Sequence, residues 1–210
     1  MDKLRRQHRR AGTAIGILFG LTVAIVGVGS WIKVFAENER HLSSGDAAAL
    51  ASLIGVGLLP ASLAGGIIGR RVGAARVIVA SSLGLALSLA LVALAQQQVV
   101  LALGLLGLGW FSALPFGVIL ASAGTFAGSS AEGSQGVLVG AVNGVAFVGG
   151  AVAPPLVGAI RDATGSFGPG FAVLATGPAI ALVALSALRR SLPAGLGGVF
   201  LNHAPARELV

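Results

Sequence analysis

Five side chains in this sequence have the type and setting to contact a solute in an apolar environment. Asn143 is the single amide in a long apolar run, and Trp110 and Phe111 follow a cluster of glycines in another. Trp31 and Lys33 close the first such run. A buried amide costs free energy unless it is hydrogen-bonded, so Asn143 either pairs with a neighbouring helix or faces water and a solute. The chemistry available is recognition by hydrogen bonding, aromatic contact and one positive charge.

Residues that enzymes and metal sites use do not gather in this sequence. The histidines His8, His41 and His203 lie outside the apolar runs, there is no cysteine, and no two carboxylates share a face of a predicted helix. The glycines between positions 104 and 109 follow no strand, so they form no dinucleotide-binding motif. We therefore expect no enzymatic activity, no cofactor and no metal. The net charge of +7 is divided among the segments between apolar runs, so we expect no nucleic-acid partner.

The composition is that of a protein embedded in a lipid bilayer. Hydrophobic residues make up 55% of the 210 positions, charged residues only 10%, and the mean hydropathy is +0.93. Intervals without charge are long enough for helices to cross the hydrocarbon core, which takes about 20 residues. They predict an all-α protein with six transmembrane helices at approximately 11–36, 47–69, 74–96, 98–126, 133–160 and 168–188. Residues 1–10 are predicted to be a basic flank and 191–210 a flexible tail.

Basic residues are distributed as expected for a chain whose termini are both cytoplasmic. With the N-terminus inside, the inner segments carry eleven Lys and Arg residues and the outer segments three. The first apolar run exceeds twenty residues, which is too long for the apolar core of a secretory signal peptide. We expect a multi-pass protein of the cell inner membrane, surrounded by bilayer lipid.

The aromatic and basic candidates each have a second interpretation. Trp31 and Lys33 fit an interfacial anchor and a lysine that extends to the headgroups, as well as the mouth of a pathway that attracts anions. Trp110 and Phe111 fit bulky side chains that fill a groove of small residues, as well as the wall of a cavity. The sequence leaves these alternatives open.

Glycines in the fifth apolar run recur at helical spacing. Gly136, Gly140 and Gly144 are four residues apart, which sets them on one face of a helix. Such a face lets the backbone of a neighbouring helix approach closely, a common means of helix packing in membranes. We therefore predict that this face packs against another helix.

Two motifs resemble those of the major facilitator superfamily. After the second apolar run, the sequence is similar to the family's cytoplasmic loop, approximately Gly-x-Leu-Ala-Asp-Arg-x-Gly-Arg-Arg. The matching positions are Gly66, Ile68, Gly69, Arg71 and Gly73, with Arg76 just beyond. Arg70 occupies the family's acidic position, a departure that the looser second-half form of the motif tolerates.

The second motif ends the fifth run and reads Pro154-x-x-x-Gly158-x-x-x-Asp162-x-Thr164-Gly165. It resembles the penultimate helix of these transporters, with a spacing similar to that of anion:cation symporters and of monocarboxylate or oxalate/formate carriers. The resemblance extends over about residues 13–190. It implies a six-helix half-bundle, similar to the C-terminal half and built as a 3+3 repeat. Arg161 and Asp162 also fit a local ion pair.

The resemblance implies a transporter or half-transporter that moves a small solute, for example an organic anion, by alternating access. A second six-helix unit is then required, whether a missing half, a separate chain or another copy. The cavity would lie between the first, second, fourth and fifth helices, which carry Trp110, Phe111 and Asn143. The implied motif and gating residues are Gly66, Gly69, Arg71, Gly73, Arg76, Pro154, Gly158, Asp162 and Gly165.

Apart from Lys33 and Arg76 near their ends, the predicted spans contain no titratable residue. Coupling of transport to protons would therefore depend on another unit, or transport would be facilitated. The alternative is a non-transporting membrane scaffold that associates with another helical bundle.

Overall fold

The computed structural model describes residues 2–127 and 132–191, and all regular structure within them is helical. The helices in chain order are α1 (Asp2–Asn38), α2 (Ser44–Val72), α3 (Ala74–Leu94), α4 (Gln98–Ala127), α5 (Glu132–Thr164), α6 (Gly168–Leu174) and α7 (Thr176–Ser191). The tail predicted for 191–210 lies, after its first residue, outside the described residues.

Several of these helices are long and apolar enough to cross a membrane. Among the described residues there are five such spans: Ile15–Asn38, Ser44–Val72, Ala74–Leu94, Gln98–Val118 and Gly168–Ala187. They confirm a multi-pass helical membrane protein. α5 is 33 residues long, about 50 Å at 1.5 Å per residue, but is not among the five. The count of six transmembrane helices therefore stays a prediction.

The largest differences from the predicted boundaries are in the first and the sixth helix. α1 begins at Asp2, so the basic flank is its first turns, because Lys and Arg are good helix formers. The sixth predicted helix is divided into α6 and α7. Pro178 lacks the N–H that the Leu174 carbonyl would accept in a continuous helix. Between the two helices, the Ala175 N–H bonds to the Ala172 carbonyl at 3.1 Å, which is three residues back and not four.

The helices pack as two groups, one around α4 and one around α1. α2 lies parallel to α4 and α3 antiparallel to it. In the other group, α5 lies parallel to α1 and α7 antiparallel to it. α1 also contacts α2 and α4, which joins the two groups into one bundle.

Small residues at four-residue spacing form the contact between α2 and α4. The small residues on α2 are Gly57, Ala61, Gly65 and Gly69, and those on α4 are Gly109, Ala113 and Gly117. A Cβ atom at Gly57, Gly65 or Gly109 would overlap a backbone carbonyl of the opposite helix. The two backbones therefore touch, as in other membrane helix pairs built on small residues.

The glycine series that was predicted to pack faces away from the described chain. A Cβ atom at Gly140 or Gly144 would meet no atom within 4 Å, and the surroundings of Gly136 lie outside the described part. The predicted close packing is wrong for Gly140 and Gly144 within this chain. The reason is the rotation of α5, which turns Gly149 and Gly150 towards α1 instead.

Candidate functional site

Trp31 joins α1 to α5 near the C-terminal ends of these parallel helices. Its indole Nε1 donates a hydrogen bond to the Pro154 carbonyl at 2.8 Å. The indole lies against Gly158, where a Cβ atom would be 3.0 Å from the ring carbon Cζ2. Glycine at position 158 leaves room for the ring, and the carbonyl of Pro154 orients it. A predicted pathway residue and two predicted motif residues thus form one contact.

Phenylalanines close the same end of the bundle beyond Trp31. Phe35, Phe167 and Phe171 are almost fully buried. The ring centroid of Phe167 is 5.4 Å from that of Trp31 and 6.0 Å from that of Phe171, and Phe35 meets both phenylalanines edge to face. Such pairs contribute about 0.5–1.5 kcal/mol each beyond their burial. The Arg40 guanidinium lies over Phe35, with Cζ 4.7 Å from the ring centroid.

Glu39 fastens the turn between α5 and α6 to the end of α1. Its Oε1 accepts the Phe167 N–H at 2.6 Å, and its Oε2 accepts the Ser166 hydroxyl at 3.1 Å. The turn passes through Gly165, whose φ of 76° favours glycine. We refer to this set of contacts as the clasp, formed by Trp31, Glu39, Pro154, Ser166 and Phe167.

Charged residues near the clasp form local ion pairs. The Lys33 Nζ lies 3.7 Å from Glu37 Oε1, one helical turn away, and the Arg161 Nη1 lies 3.2 Å from Asp162 Oδ1. The side chain of Lys33 is 51% exposed and that of Asp162 75%. Exposed pairs of this kind contribute about 1 kcal/mol or less. A pathway role for Lys33 and a gating role for Asp162 stay predictions.

The aromatic pair on α4 packs against small residues of the neighbouring helices. Phe111 lies across Gly84 of α3, where a Cβ atom would be 2.6 Å from its ring. Trp110 is partly buried, and its backbone nitrogen lies 3.0 Å from the position of a Cβ atom at Gly57. This geometry favours the groove-filling interpretation for Phe111. A cavity-lining role for either residue stays a prediction.

Asn143 lies on the side of α5 that contacts α1. It is seven residues before Gly150, close to two helical turns, and Gly150 packs on Thr22 and Val26. Its side chain is partly buried, and within the described part of the chain no hydrogen bond to it is seen. Its position relative to α1 therefore suits both pairing with a helix and contact with a solute.

The register between α1 and α5 also sets the depth of Asn143. Because Gly158 lies at Trp31 in a parallel pair, Asn143 is level with Gly16. Gly16 lies six residues, about 9 Å, beyond Arg10, in the first third of the 22-residue uncharged stretch of α1. Asn143 is thus level with a point between the start and the midpoint of that uncharged stretch, on the Arg10 side of mid-depth.

The loop motif after α2 forms a turn of a single residue. Gly73, with φ of 92°, connects α2 to α3. Gly69 packs on Val118, since a Cβ atom there would be 2.8 Å from Cγ2, and the Gly66 nitrogen lies close to Gly117. The arginines of this turn are exposed: Arg70, Arg71 and Arg76. Their gating role stays a prediction.

Two features of the site were not found from the sequence. Glu39 and Phe167 are 128 residues apart, and no pattern connects them. The α2–α4 contact did have a signal in the sequence, since small residues recur every four positions from Gly57 to Gly69. This series is longer than the glycine series on α5 for which packing was predicted. Spacing alone does not reveal which small-residue face has a partner.

Comparisons with known proteins identify the fold. No family model and no curated protein matches the sequence, whereas 27 chains of solved structures match the fold. A mutant of the peptide transporter POT with sulfate has a TM-score of 0.79 and 18% identity over 98% of this chain and 45% of that chain. The same transporter with alafosfalin has a TM-score of 0.78 and 18% identity over 98% of this chain and 46% of that chain. Tetrameric PepTSo2 has a TM-score of 0.75 and 16% identity over 97% of this chain and 44% of that chain.

The chain spans less than half the length of these solved transporters. At identities of 16–18% the likeness establishes the fold alone. The chain is therefore a multi-pass helical membrane protein whose fold matches just under half of a peptide transporter structure.

Proposed function

We propose that the chain is a six-helix unit of a transporter of the major facilitator type, which moves a small solute without changing it chemically. The observation that carries the proposal is the fold match, with a TM-score of 0.79 over 98% of this chain. The five apolar spans support it. Because the match covers 45% of the solved transporter, we propose that a second six-helix unit completes the pathway, whether a missing half, a separate chain or another copy.

An internal 3+3 repeat is supported by the helix pairing. In such a repeat α1, α2 and α3 correspond to α4, α5 and the α6–α7 pair. The α2–α4 contact then corresponds to the α5–α1 contact, and the α3–α4 contact corresponds to the α7–α1 contact. Corresponding pairs run in the same relative direction. The motifs Gly66-x-x-x-Arg70-x-x-Gly73 and Gly158-x-x-x-Asp162-x-x-Gly165 also have equal spacing, and each ends at a glycine with positive φ.

Within this unit, Asn143 is the residue that we propose as a solute contact. It offers an amide with no described hydrogen bond on a helix that flanks α1. Trp31, Lys33, Trp110 and Phe111 are proposed as further pathway residues. The indole N–H of Trp31 is occupied by Pro154, so its contribution to a solute would come from the ring face.

Two observations support proposals for the class of solute. The solved neighbours include a peptide transporter, which makes short peptides the first class to test. The spacing of the α5 motif makes small organic anions the second. Since the spans carry titratable groups only near their ends, we propose that proton coupling, where present, comes from the second unit.

Uptake into proteoliposomes tests the proposal. The full chain is reconstituted and offered a panel of labelled dipeptides and small carboxylates, and saturable uptake of at least one is expected where another copy of the chain serves as the second unit. Asn143→Ala should lower that uptake several-fold, while the matched amide control Gln97→Ala, at the exposed α3–α4 turn, should not. Absence of saturable uptake across the panel, with several copies present per vesicle, would count against transport by a pair of these chains.

The number of units is tested separately. Vesicles loaded at about one chain each should be inactive if two units are needed, and activity should rise with the square of chain density. Uptake by vesicles that hold a single chain would show that one unit suffices.

A topology with both termini cytoplasmic is part of the proposal. The chain has no native cysteine, so single cysteines added at either end can be labelled selectively. We expect labelling in intact cells only by reagents that cross the membrane. Labelling of either terminus by an impermeant reagent would show that this terminus lies outside the cell and would contradict the proposed topology.

A non-transporting scaffold is the second candidate. Gly140 and Gly144 face away from the described chain, which suits a helix of another bundle. For a scaffold, Gly140→Leu would abolish complex formation, whereas Asn143→Ala and Trp110→Phe would leave uptake by the complex unchanged. For a transporter, the last two variants would lower uptake.

A further inference from the structure

Three arginines surround the turn between α2 and α3 without a described counter-charge. Arg70 and Arg71 end α2, Arg76 lies in the first turn of α3, and only Gly73 separates the two helices. All three side chains are exposed. In the described part of the chain none forms an ion pair, and the hydrogen bond seen for Arg76 goes to the Val72 carbonyl of its own turn, at 3.3 Å. We call these three residues the arginine turn.

The carbonyl end of α2 neutralises only part of this charge. A helix C-terminus carries the equivalent of about half a negative charge, whereas the turn holds three positive ones. In the related loop motif the position of Arg70 is acidic, so this chain replaces a neutralising group by a further cation. The arginine turn therefore presents unneutralised positive charge.

The turn lies at the edge of an apolar surface. The α2 side chains that precede it point away from the bundle, with Leu63 79% and Ile67 50% exposed. From Asp46 to Arg70 the helix rises about 36 Å, slightly more than the hydrocarbon core of a bilayer. If Asp46 lies at one headgroup layer, Arg70 reaches the other.

The turn is also held in place by packing. Gly69 lies against Val118 of α4, and Ala75 and Val77 on α3 are buried. The backbone that carries the arginines is thus fixed to α4. Guanidinium groups form paired hydrogen bonds with phosphate oxygens, which distinguishes them from a simple positive charge.

We propose that the arginine turn is a binding site for the phosphate groups of anionic phospholipids in the adjacent leaflet. Exposed apolar residues lead directly to the guanidinium groups, which is the order in which a lipid presents its acyl chains and its phosphate. Each arginine near a charged bilayer surface strengthens binding about fivefold. We expect the site to select anionic over zwitterionic lipid by at least about fivefold.

A local fluorescence assay tests this selection. Because the chain has no cysteine, Ile67→Cys can carry a single fluorophore beside the arginine turn. The labelled chain is reconstituted with brominated phosphatidylglycerol or brominated phosphatidylcholine as quencher. We expect phosphatidylglycerol to quench at a concentration at least about fivefold lower.

The chain offers a matched control at its other short hairpin. The α3–α4 turn carries Gln96, Gln97 and Gln98 in place of arginines, and Val99 next to it is 69% exposed. A fluorophore at Val99→Cys should be quenched equally by both lipids. An equal preference for phosphatidylglycerol at both positions would overturn the proposal.

Substitution of the arginines completes the test. In the Ile67→Cys background, Arg70→Gln combined with Arg71→Gln and Arg76→Gln should abolish the preference. If the triple variant does not fold, Arg70→Gln with Arg76→Gln should reduce it. A preference that survives in the folded variant would overturn the proposal, as would displacement of the lipid by inorganic phosphate at millimolar concentration.

Discussion

Replacing Gly65 by alanine should destabilise the protein through its effect on one helix contact. A Cβ atom at Gly65 would overlap the Leu114 carbonyl oxygen and lie 3.3 Å from the Gly117 Cα. Because the obstacle is backbone, no change of side-chain rotamer relieves it, and α2 must move away from α4. A gap of about 0.5–1 Å forfeits roughly a quarter to a half of the dispersion attraction between facing atoms. Overpacking of this kind costs about 1–3 kcal/mol.

Gly144→Ala provides the matched control. It makes the same chemical change inside a helix, but no atom lies within 4 Å of the new methyl group. Alanine is a better helix former than glycine by up to about 1 kcal/mol, so this variant should be neutral or slightly more stable. The two variants should therefore differ by about 1–4 kcal/mol.

The measurement is unfolding in mixed micelles with increasing sodium dodecyl sulfate, followed by far-UV circular dichroism. The free energy of unfolding is compared for wild type, Gly65→Ala and Gly144→Ala. Values within about 0.5 kcal/mol of one another would refute the close contact between α2 and α4. Destabilisation by Gly144→Ala alone would instead place the tight contact on α5.

A double-mutant cycle at Gly69 tests the same contact in another way. There the nearest atom to a new Cβ is a side-chain carbon, Val118 Cγ2 at 2.8 Å, so Val118→Ala should relieve the overlap caused by Gly69→Ala. We expect the double variant to be more stable than the sum of the single effects by about 1 kcal/mol. Val118→Ala should give no such rescue to Gly65→Ala.

Substitutions at three further positions test the clasp and the arginine turn. Trp31→Phe keeps a ring and removes the hydrogen bond to Pro154, so we expect a loss of about 0.5–1.5 kcal/mol in the same titration; unchanged stability would contradict that bond. Glu39→Ala leaves the Phe167 N–H without its acceptor and should cost about 1–3 kcal/mol, while Glu39→Gln should cost less; the reverse order would contradict the contact. Gly73→Ala forces a side chain into positive φ and should cost about 1–3 kcal/mol, seen as a lower melting temperature in detergent; an unchanged temperature would argue against the turn.

Hydropathy was sufficient to predict most of the helices. Charged residues such as Asp46, Arg70 and Arg76 bound the apolar runs, and the cost of a charge in lipid ties those boundaries to helix ends. The division of the last helix needed more, because Pro178 breaks the backbone hydrogen bonds without any change in hydropathy.

The rotation of each helix about its axis was not predictable from the sequence. All α5 faces are apolar, so hydrophobicity does not distinguish the face with Gly140 and Gly144 from the face with Gly149 and Gly150. In a membrane both lipid and protein are apolar partners, and packing is decided by shape. Whether a face fits depends on the side chains of the neighbouring helix. The Trp31 ring fits against Gly158, and these residues are 127 positions apart, so the sequence around either one does not predict the contact.

The contacts within the chain indicate where a transport motion would occur. α2 touches α4 through backbone, and α1 touches α7 in the same way, since a Cβ atom at Gly20 or Gly177 would overlap the other residue's carbonyl. The clasp holds α1 to α5 by hydrogen bonds as well. Sliding any of these helices would bring bulky side chains to contacts that admit only glycine. Under the proposed function, alternating access is therefore expected as rocking of the whole unit against its partner, about surfaces that the chain leaves exposed, such as the face of Gly140 and Gly144 on α5.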